Sequence, residues 1–288
     1  VAKEKNVNFM FEASVGGGIP IIRSINECLT ADKIEEITGI LNGTTNYMLT
    51  RMANEGLEFA DVLKDAQDKG YAENDPTADV EGFDACRKIA ILTSLVAGKQ
   101  VDFEKIHTEG ITKISAVDFK YAKAMGRSIK LLATSRQADG TYSALVAPHL
   151  LSPEHPLYSV NDVFNAVFVH GNVLGDAMFY GSGAGKLPTA SAVVADVVEM
   201  AKHLDQNIPV EWSKEELPLA DYKKNEKRFF VRTEADEAAV KAAFGEVELV
   251  HADGISGEMG FVTGNMTEAA YEEKAAKLGK VLQMIRLA

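Results

Sequence analysis

The segment YAENDPTADVEGFDACRK (residues 71–88) holds the residues whose types and spacing are best suited to chemistry. Asp84 and Lys88 are four residues apart on a predicted helix, so they share one face of it with Glu81. An acid and a lysine at this spacing commonly form a solvated surface pair of little energetic weight. A lysine at the mouth of a buried site can instead give or take a proton, with the aspartate holding it in position.

The residues that follow the pair favour a buried site. The predicted helix at residues 81–98 becomes apolar on all sides after Lys88, so its second half is expected to lie inside the protein. Ile91 and Leu95 continue the face that carries Asp84 and Lys88. The sequence therefore predicts that the pair lies where a protected site opens to solvent.

The loop before this helix carries further carboxylates, Glu73, Asp75 and Asp79. The dipeptide Asp75-Pro76 is typical of a plain turn. Several carboxylates in one loop also repel one another unless a cation relieves them, and the ammonium group of a substrate would do so. Both interpretations stay open, and the second indicates an amino-acid substrate.

Two glycine-rich turns invite nucleotide-binding interpretations that their residues do not support. GGGIP (residues 16–20) does not fit the dinucleotide fingerprint GxGxxG. GSGAGKL (residues 181–187) resembles a phosphate-binding loop, but Tyr180 replaces its first glycine and Leu187 its Ser or Thr. Each turn can still bring backbone close to an anion at a helix N-terminus, or can be a tight structural turn.

Hydrophobic periodicity, caps and turn residues predict the elements that position these residues. They are a buried strand at 8–15, a helix opened by Pro20, a strand at 33–41, a helix that follows it, a helix at 59–70 capped by Gly70, a hairpin within 128–151 turning at Asp139-Gly140, a second hairpin at 164–181, and a helix with Pro188 in its first turn. After a linker at 205–226, the remaining chain predicts the order βαββαβ, a separate regulatory-type module.

Composition excludes several classes of partner. The net charge of −12 argues against nucleic acid and anionic membranes, since both would repel an acidic surface. Cys28 and Cys86 are far apart in sequence and form no zinc-type cluster, which favours a reducing, cytoplasmic compartment. No apolar run is long enough to cross a bilayer.

Four motifs in this order resemble the catalytic half of homoserine dehydrogenase: EASVGGGIPII, GILNGTTNYML, GYAENDPTADVEGFDACRK and GSGAGKLPTASAVVAD. The resemblance covers residues 8–204, and the βαββαβ tail resembles the ACT domain of some family members. It implies an α+β fold with a mixed sheet and flanking helices. It also implies NAD(P)-dependent interconversion of L-homoserine and L-aspartate 4-semialdehyde in threonine, methionine and isoleucine biosynthesis, by a cytoplasmic homodimer or higher oligomer without nucleic-acid or membrane partners.

The resemblance also implies roles for individual residues. Lys88 matches the proton donor and Asp84 its supporting acid, while Glu73 matches the ligand of the substrate amino group. Asp79, Gly43, Thr44 and Tyr71 match other residues of the substrate pocket. Glycines matching the cofactor contacts are Gly17, Gly70, Gly183 and Gly185, and a sodium site built mostly from main-chain oxygens corresponds to Glu12, Val15, Gly17 and Ile19.

The resemblance predicts a division into a remnant of the nucleotide-binding domain (1–19), a catalytic and dimerisation domain (20–204), a linker (205–226) and an ACT-like domain (227–288). Because the family's Rossmann domain has no counterpart here, we expect this chain alone to lack most of its cofactor site and to be inactive. The tail also lacks the Pro-Gly loop where effectors often bind. The alternatives are a non-catalytic amino-acid-binding or oligomerisation module with the tail as its working part, and another hydride-transfer enzyme of similar architecture.

Overall fold

A large mixed β-sheet organises the chain. The computed structural model describes residues 1–288 apart from the side chain of Lys3, and within that range ten strands join into this sheet. The strands are β1 (Ile34–Ile40), β2 (Lys99–Gln100), β3 (His107–Thr108), β4 (Ser128–Ala138), β5 (Thr141–Leu151), β6 (Phe164–Gly171), β7 (Gly175–Ser182), β8 (Ser213–Glu216), β9 (Glu226–Lys227), β10 (Phe229–Thr233), β11 (Glu248–Val250), β12 (Met259–Val262), β13 (Met266–Thr267) and β14 (Val281–Leu287). The order across the large sheet is β11-β12-β10-β14-β5-β4-β1-β6-β7, and β3 also pairs with β5.

Ten α-helices accompany the strands in the described part of the chain. They are α1 (Ala2–Lys5), α2 (Ile21–Arg23), α3 (Gly43–Glu55), α4 (Phe59–Asp68), α5 (Thr77–Val80), α6 (Phe83–Ala97), α7 (Ala116–Ala124), α8 (Lys186–Lys202), α9 (Glu237–Phe244) and α10 (Glu268–Ala275). A π-helical turn at Ser24–Cys28 extends α2. Among the described residues, no helix is both long and apolar enough to span a bilayer. The predicted α+β class with a mixed sheet is confirmed.

The central hairpin follows directly from its turn residues. Asp139 has φ 49° and Gly140 has φ 78°, which suits a two-residue turn with positive φ at both positions. β4 and β5 then pair antiparallel along their whole length, from Ser128 opposite Leu151 to Ala138 opposite Thr141. This hairpin and the second one, β6 with β7, are both confirmed as predicted.

Helices α3 and α6 lie on one face of the sheet and form the main core with it. Leu131 belongs to this core, whereas its neighbour Leu132 belongs to a second cluster, because successive strand residues point to opposite faces. On α6, Ile89 and Leu92 are fully buried, which fixes the helix that carries the predicted catalytic pair.

The predicted strand at residues 8–15 is wrong. Glu12–Ser14 form a short 3-10 turn, and the Glu12 carboxylate accepts hydrogen bonds from the backbone N–H groups of Ile22 (2.7 Å) and Arg23 (2.8 Å). The first N–H groups of a helix have no partner within it, so the buried acid satisfies donors of the α2 segment. The Glu12 N–H in turn donates to Asp196 on α8 at 2.9 Å. Contacts with two helices replace the strand pairing that the apolar pattern predicted.

The C-terminal part has the predicted βαββαβ order, formed by β10, α9, β11, β12, α10 and β14. Its own core includes Phe229, Val240 and Phe261. The large sheet continues into it, because β14 pairs in parallel with β5, with Arg286 opposite His149. Residues of the predicted linker also pair with the rest of the chain, β8 with β2. The domain division at 205–226 stays a prediction.

Candidate active site

Lys88 and Asp84 form a partly buried ion pair near the start of α6. Lys88 Nζ lies 2.6 Å from Asp84 Oδ2 and also donates to the Leu41 carbonyl at 3.0 Å. The two side chains are only 20% and 31% exposed, whereas Lys64 and Asp68, a pair of the same spacing on α4, are 74% and 66% exposed. Lys88 and Asp84 are therefore not an ordinary surface pair, in agreement with the position predicted from the buried second half of α6.

Asn42 connects this pair to the acidic loop, and sequence reasoning missed it. The Asn42 Oδ1 accepts from the Thr45 N–H at 2.9 Å, so Asn42 is the N-cap of α3. Its Nδ2 donates to Asp79 Oδ1 at 2.7 Å and to Asp84 Oδ2 at 2.9 Å. One amide thus holds two carboxylates beside the lysine. An asparagine directly before Gly-Thr-Thr at a helix start signals the cap, but nothing local signals the two acids.

The surroundings of Asp79 shift the pKa of its carboxyl group. Burial raises the pKa of Asp79, and the neighbouring Asp84 charge raises it further, while the hydrogen bond from Asn42 and the charge of Lys88 act in the opposite direction. The net pKa lies above the ordinary value of an aspartate. A cation bound next to Asp79 would favour its ionised form, so this part of the site is suited to an ammonium group.

Gly43 and Thr44 follow Asn42 at the start of α3, and Tyr71 meets this helix from the acidic loop. Thr44 Oγ1 donates to the Tyr71 carbonyl at 2.7 Å, which ties the acidic loop to the helix. A Cβ atom at Gly43 would lie 2.8 Å from the Val163 carbonyl oxygen, so only glycine fits there. The Tyr71 ring packs on the Tyr47 ring at 4.9 Å between centroids and remains exposed on its other side.

Glu73 lies on the surface of the acidic loop, outside the hydrogen-bonded cluster. Its side chain is exposed and makes no hydrogen bond or ion pair with Lys88, Asp84 or Asp79 among the described residues. Its backbone carbonyl accepts from the Gln67 side chain at 3.1 Å, which holds the loop to the end of α4. The structure thus brings Lys88, Asp84 and Asp79 together and leaves the Glu73 carboxylate free to meet a ligand.

The two glycine-rich turns contact each other. A Cβ atom at Gly17 would lie 2.4 Å from the Gly183 carbonyl oxygen, and one at Gly18 would lie 2.8 Å from the Pro188 Cβ. The Gly18 N–H donates to the Ser182 carbonyl at 3.0 Å. Glycine is therefore required at these positions for close backbone packing, which accounts for part of the glycine pattern without a ligand.

The other two glycines predicted to contact the cofactor have a different setting. A Cβ atom at Gly70 would meet open space, and Gly70 has φ 74° just before Tyr71. Gly185 has φ 111° and immediately precedes α8. Both glycines are exposed, and their contact with a cofactor stays a prediction.

The predicted sodium site finds no support in the contacts. The Glu12 carboxylate is buried and already binds two backbone N–H groups. The Ile19 carbonyl accepts from the Ile21 N–H at 2.9 Å. Within the described part of the chain, no group of three or more His, Cys, Asp or Glu side chains could hold a metal ion. A site made of main-chain oxygens of Glu12, Val15, Gly17 and Ile19 stays a prediction.

The fold and the site together define an α+β protein in which a partly buried lysine–carboxylate pair is hydrogen-bonded through Asn42 to a further carboxylate, Asp79. Residues 20–198 match the family model described as homoserine dehydrogenase, so the chain belongs to the homoserine dehydrogenase family. This confirms the resemblance predicted from the four motifs.

Individual relatives agree with this assignment. The homoserine dehydrogenase of Bacillus subtilis (strain 168) is 46% identical over 203 residues, which are 70% of this chain and 47% of that protein. The chain thus spans about half the length of that curated relative. The crystal structure of a homoserine dehydrogenase from Thiobacillus denitrificans superposes with a TM-score of 0.89 at 34% identity, covering 100% of this chain and 72% of the other. A hyperthermophilic archaeal homoserine dehydrogenase mutant in complex with NADPH has a TM-score of 0.61 at 32% identity, covering 72% and 60% of the two chains.

Proposed function

We propose that this chain supplies the substrate-binding and catalytic part of an NAD(P)-dependent enzyme that interconverts L-homoserine and L-aspartate 4-semialdehyde. The observation that carries the proposal is the cluster in which Lys88, Asp84, Asn42 and Asp79 are joined by hydrogen bonds of 2.6 to 2.9 Å. It combines a proton-transferring group with a carboxylate suited to an ammonium ion, and the substrate carries the matching groups at its two ends.

Lys88 acts at the oxygen end of the substrate. A nicotinamide cofactor, when bound, supplies the hydride that reduces the aldehyde carbon. As the carbonyl oxygen gains negative charge, Lys88 Nζ donates a proton to it, and in the reverse direction the amine takes the proton from the hydroxyl group. Asp84 holds Nζ in position at 2.6 Å.

The acidic loop acts at the amino-acid end. Asp79 belongs to the hydrogen-bonded cluster. Glu73, on the surface of the acidic loop, provides a second carboxylate with no internal partner among the described residues. Together they bind the substrate ammonium group, while Gly43, Thr44 and Tyr71 shape the wall of the pocket. Charge-assisted hydrogen bonds of this kind fix the orientation of the aldehyde towards Lys88.

We further propose NADP or NAD as the cofactor, held in part by the backbone at Gly17, Gly70, Gly183 and Gly185. The open space at Gly70 supports this proposal, as does the archaeal relative in complex with NADPH. The proposal also includes a sodium ion bound by main-chain oxygens around Glu12. A dependence of activity on sodium would test it.

The remaining proposals concern assembly and regulation. Met178 and Tyr180 are exposed apolar side chains on the edge strand β7, which supports a homodimer formed through this end of the sheet. The βαββαβ tail is proposed to be an ACT-like effector domain. The enzyme would serve threonine, methionine and isoleucine biosynthesis in the cytoplasm.

The experiment is an assay of the polypeptide as its source cell produces it. L-homoserine should reduce NADP or NAD, and L-aspartate 4-semialdehyde should oxidise the reduced cofactor. Threonine binding that is indifferent to Glu73 and Lys88, without any turnover, would instead support a non-catalytic amino-acid-binding module. Turnover of another alcohol in preference to L-homoserine would indicate a different hydride-transfer enzyme.

A further inference from the structure

Asn165 on β6 is a fully buried asparagine whose amide is unsatisfied. Neither its Oδ1 nor its Nδ2 has a hydrogen-bond partner among the residues that the structure describes. Burying an amide without partners is unfavourable, so such a group calls for an explanation. Asn46 on α3 shows the ordinary case, because its buried Nδ2 donates to the carbonyls of Val160, Asp162 and Phe164 at 3.2, 3.0 and 3.1 Å.

The Asn165 amide lies between the two ends of the proposed active site. A Cβ atom at Gly183 would lie 2.1 Å from its Cγ, so the glycine loop passes directly over the amide. On the other side, a Cβ atom at Gly43 would lie 3.6 Å from its Oδ1. Gly17 packs on the far side of Gly183. Asn165 therefore touches the loop proposed to contact the cofactor and approaches the N-terminus of α3, where the substrate pocket begins.

The chemistry of the amide limits what can satisfy it. An asparagine side chain has two donor hydrogens and an acceptor oxygen, and a peptide group offers the complementary carbonyl and N–H. Because a Cβ atom at Gly183 would lie only 2.2 Å from Nδ2 and 2.4 Å from Oδ1, the backbone of the glycine loop passes close to both polar atoms of the amide. A second arrangement of the loop, with a backbone group within hydrogen-bonding distance, would satisfy the amide.

We propose that Asn165 is a positioning residue that couples the two binding sites. Resting on the proposed function, the inference is that a dinucleotide favours the arrangement of the glycine loop in which the Asn165 amide is paired. The paired amide then fixes the start of α3, so that Gly43 and Thr44 are placed for the substrate. Two ligands that favour one arrangement bind more tightly together than separately, by equal factors in both directions.

The test compares Asn165→Leu with Asn46→Leu as a matched control. Leucine is close to asparagine in shape and has no polar side-chain atoms. Removing an unsatisfied amide leaves no partner behind, so Asn165→Leu should keep the melting temperature or raise it. Asn46→Leu removes the donor to three carbonyls and an acceptor of the buried Lys130 Nζ, so it should lower the melting temperature clearly.

The functional readout is calorimetric binding of NADPH, with and without saturating L-homoserine, to the polypeptide as its source cell produces it; NADPH and L-homoserine cannot react with each other. In the wild-type protein L-homoserine should tighten NADPH binding on the order of tenfold. In Asn165→Leu this ratio should fall to about one, even though both ligands still bind.

Four results would overturn the inference. A ratio retained in Asn165→Leu, or a wild-type ratio near one, would leave the proposed function intact and remove only the coupling role. A loss of stability in Asn165→Leu as large as that in Asn46→Leu would make Asn165 a structural residue. Failure of the wild-type protein to bind NADPH at all would defeat the proposed function and the coupling with it.

Discussion

Asn42 Nδ2 lies 2.9 Å from Oδ2 of Asp84, the same oxygen that Lys88 Nζ contacts at 2.6 Å. Two donors on one carboxylate oxygen fix the orientation of Asp84, and through it the position of the lysine. Because the same amide also donates to Asp79 at 2.7 Å, the proposed proton-transfer and ammonium-binding ends of the site share one organising side chain. Asn42 is thus proposed to support both functions.

Replacing Asn42 by serine should separate its two roles. Serine is an equally good N-cap, so α3 should stay intact, but the donor to both carboxylates is lost. Without the Asn42 hydrogen bond the pKa of Asp79 should rise further above its ordinary value. We expect kcat/KM to fall on the order of tenfold or more, the cost of a hydrogen bond to a charged group. The acid limb of the pH profile of kcat/KM should also move to higher pH.

Asn42→Ala provides the comparison for this experiment, because it removes the cap as well. Its free energy of unfolding should fall by about 1 kcal/mol relative to Asn42→Ser. A wild-type pH profile in Asn42→Ser would show that Asn42 is only a helix cap.

Lys88→Met should lower kcat by a factor on the order of a hundred or more, as loss of a general acid does. The matched control is Lys64→Met, which removes a lysine from an exposed pair of the same four-residue spacing, with its Nζ at 2.8 Å from Asp68. The control should leave kcat unchanged. Steady-state kinetics in both directions would check this, and a near-normal kcat in Lys88→Met would rule out proton transfer by Lys88.

Glu73→Gln should raise the KM for L-homoserine roughly tenfold with a smaller change in kcat, because a charge-assisted contact to the ammonium group is lost. The side chain is exposed and has no internal partner among the described residues, so stability should not change. Asp61→Asn on the exposed side of α4 removes a similar charge away from the site and serves as the control. An unchanged KM would take Glu73 out of the substrate pocket.

The parts of the fold predicted correctly from sequence depend on local interactions. Three such features are the Asp139-Gly140 turn, the cap at Gly70 and the apolar stretch after Lys88. Each depends on interactions within a few residues, and the element predicted from each is present in the structure. The spacing of Asp84 and Lys88 likewise placed both on one helical face. Sequence and structure agree where one helix or one hairpin determines the geometry.

The features that sequence reasoning missed depend on distant contacts. Residues 8–15 have a strand-like apolar pattern, but the segment is held by α2 and by Asp196, 184 residues away from Glu12. Asn42 is recognisable as a cap, yet Asp79 and Asp84 are 37 and 42 residues away from it. Gly183 passes directly over Asn165 from 18 residues further along the chain, a contact that no local pattern reveals.

Arg286 joins the C-terminal part to the rest of the chain through a buried ion pair. This pair should make the free energy of unfolding depend on pH. Its guanidinium donates to both carboxylate oxygens of Glu109, at 3.0 and 2.7 Å, and also to Glu268. Burial opposes ionisation of Glu109, but the hydrogen bonds from His107 and Arg286 outweigh it and lower the pKa of Glu109 to about 2.

The sign of the pH effect follows from this shift. A carboxylate whose pKa is lower in the folded state stabilises the protein above its unfolded pKa of 4.5, and that contribution is lost as the pH falls towards about 2. The side chain is 35% exposed, so after allowance for screening by water we expect about 2 kcal/mol from Glu109 at neutral pH.

Glu109→Gln should therefore be less stable than the wild-type protein by about 2 kcal/mol at pH 7, with a difference that shrinks as the pH falls below 4.5. Urea unfolding at a series of pH values would measure it. Glu248→Gln, which removes the acid of an exposed pair with Arg228, should cost well under 1 kcal/mol at every pH. A Glu109→Gln difference that stays constant between pH 7 and the acid range would mean that Glu109 contributes through packing, and that its charge does not hold the C-terminal part in place.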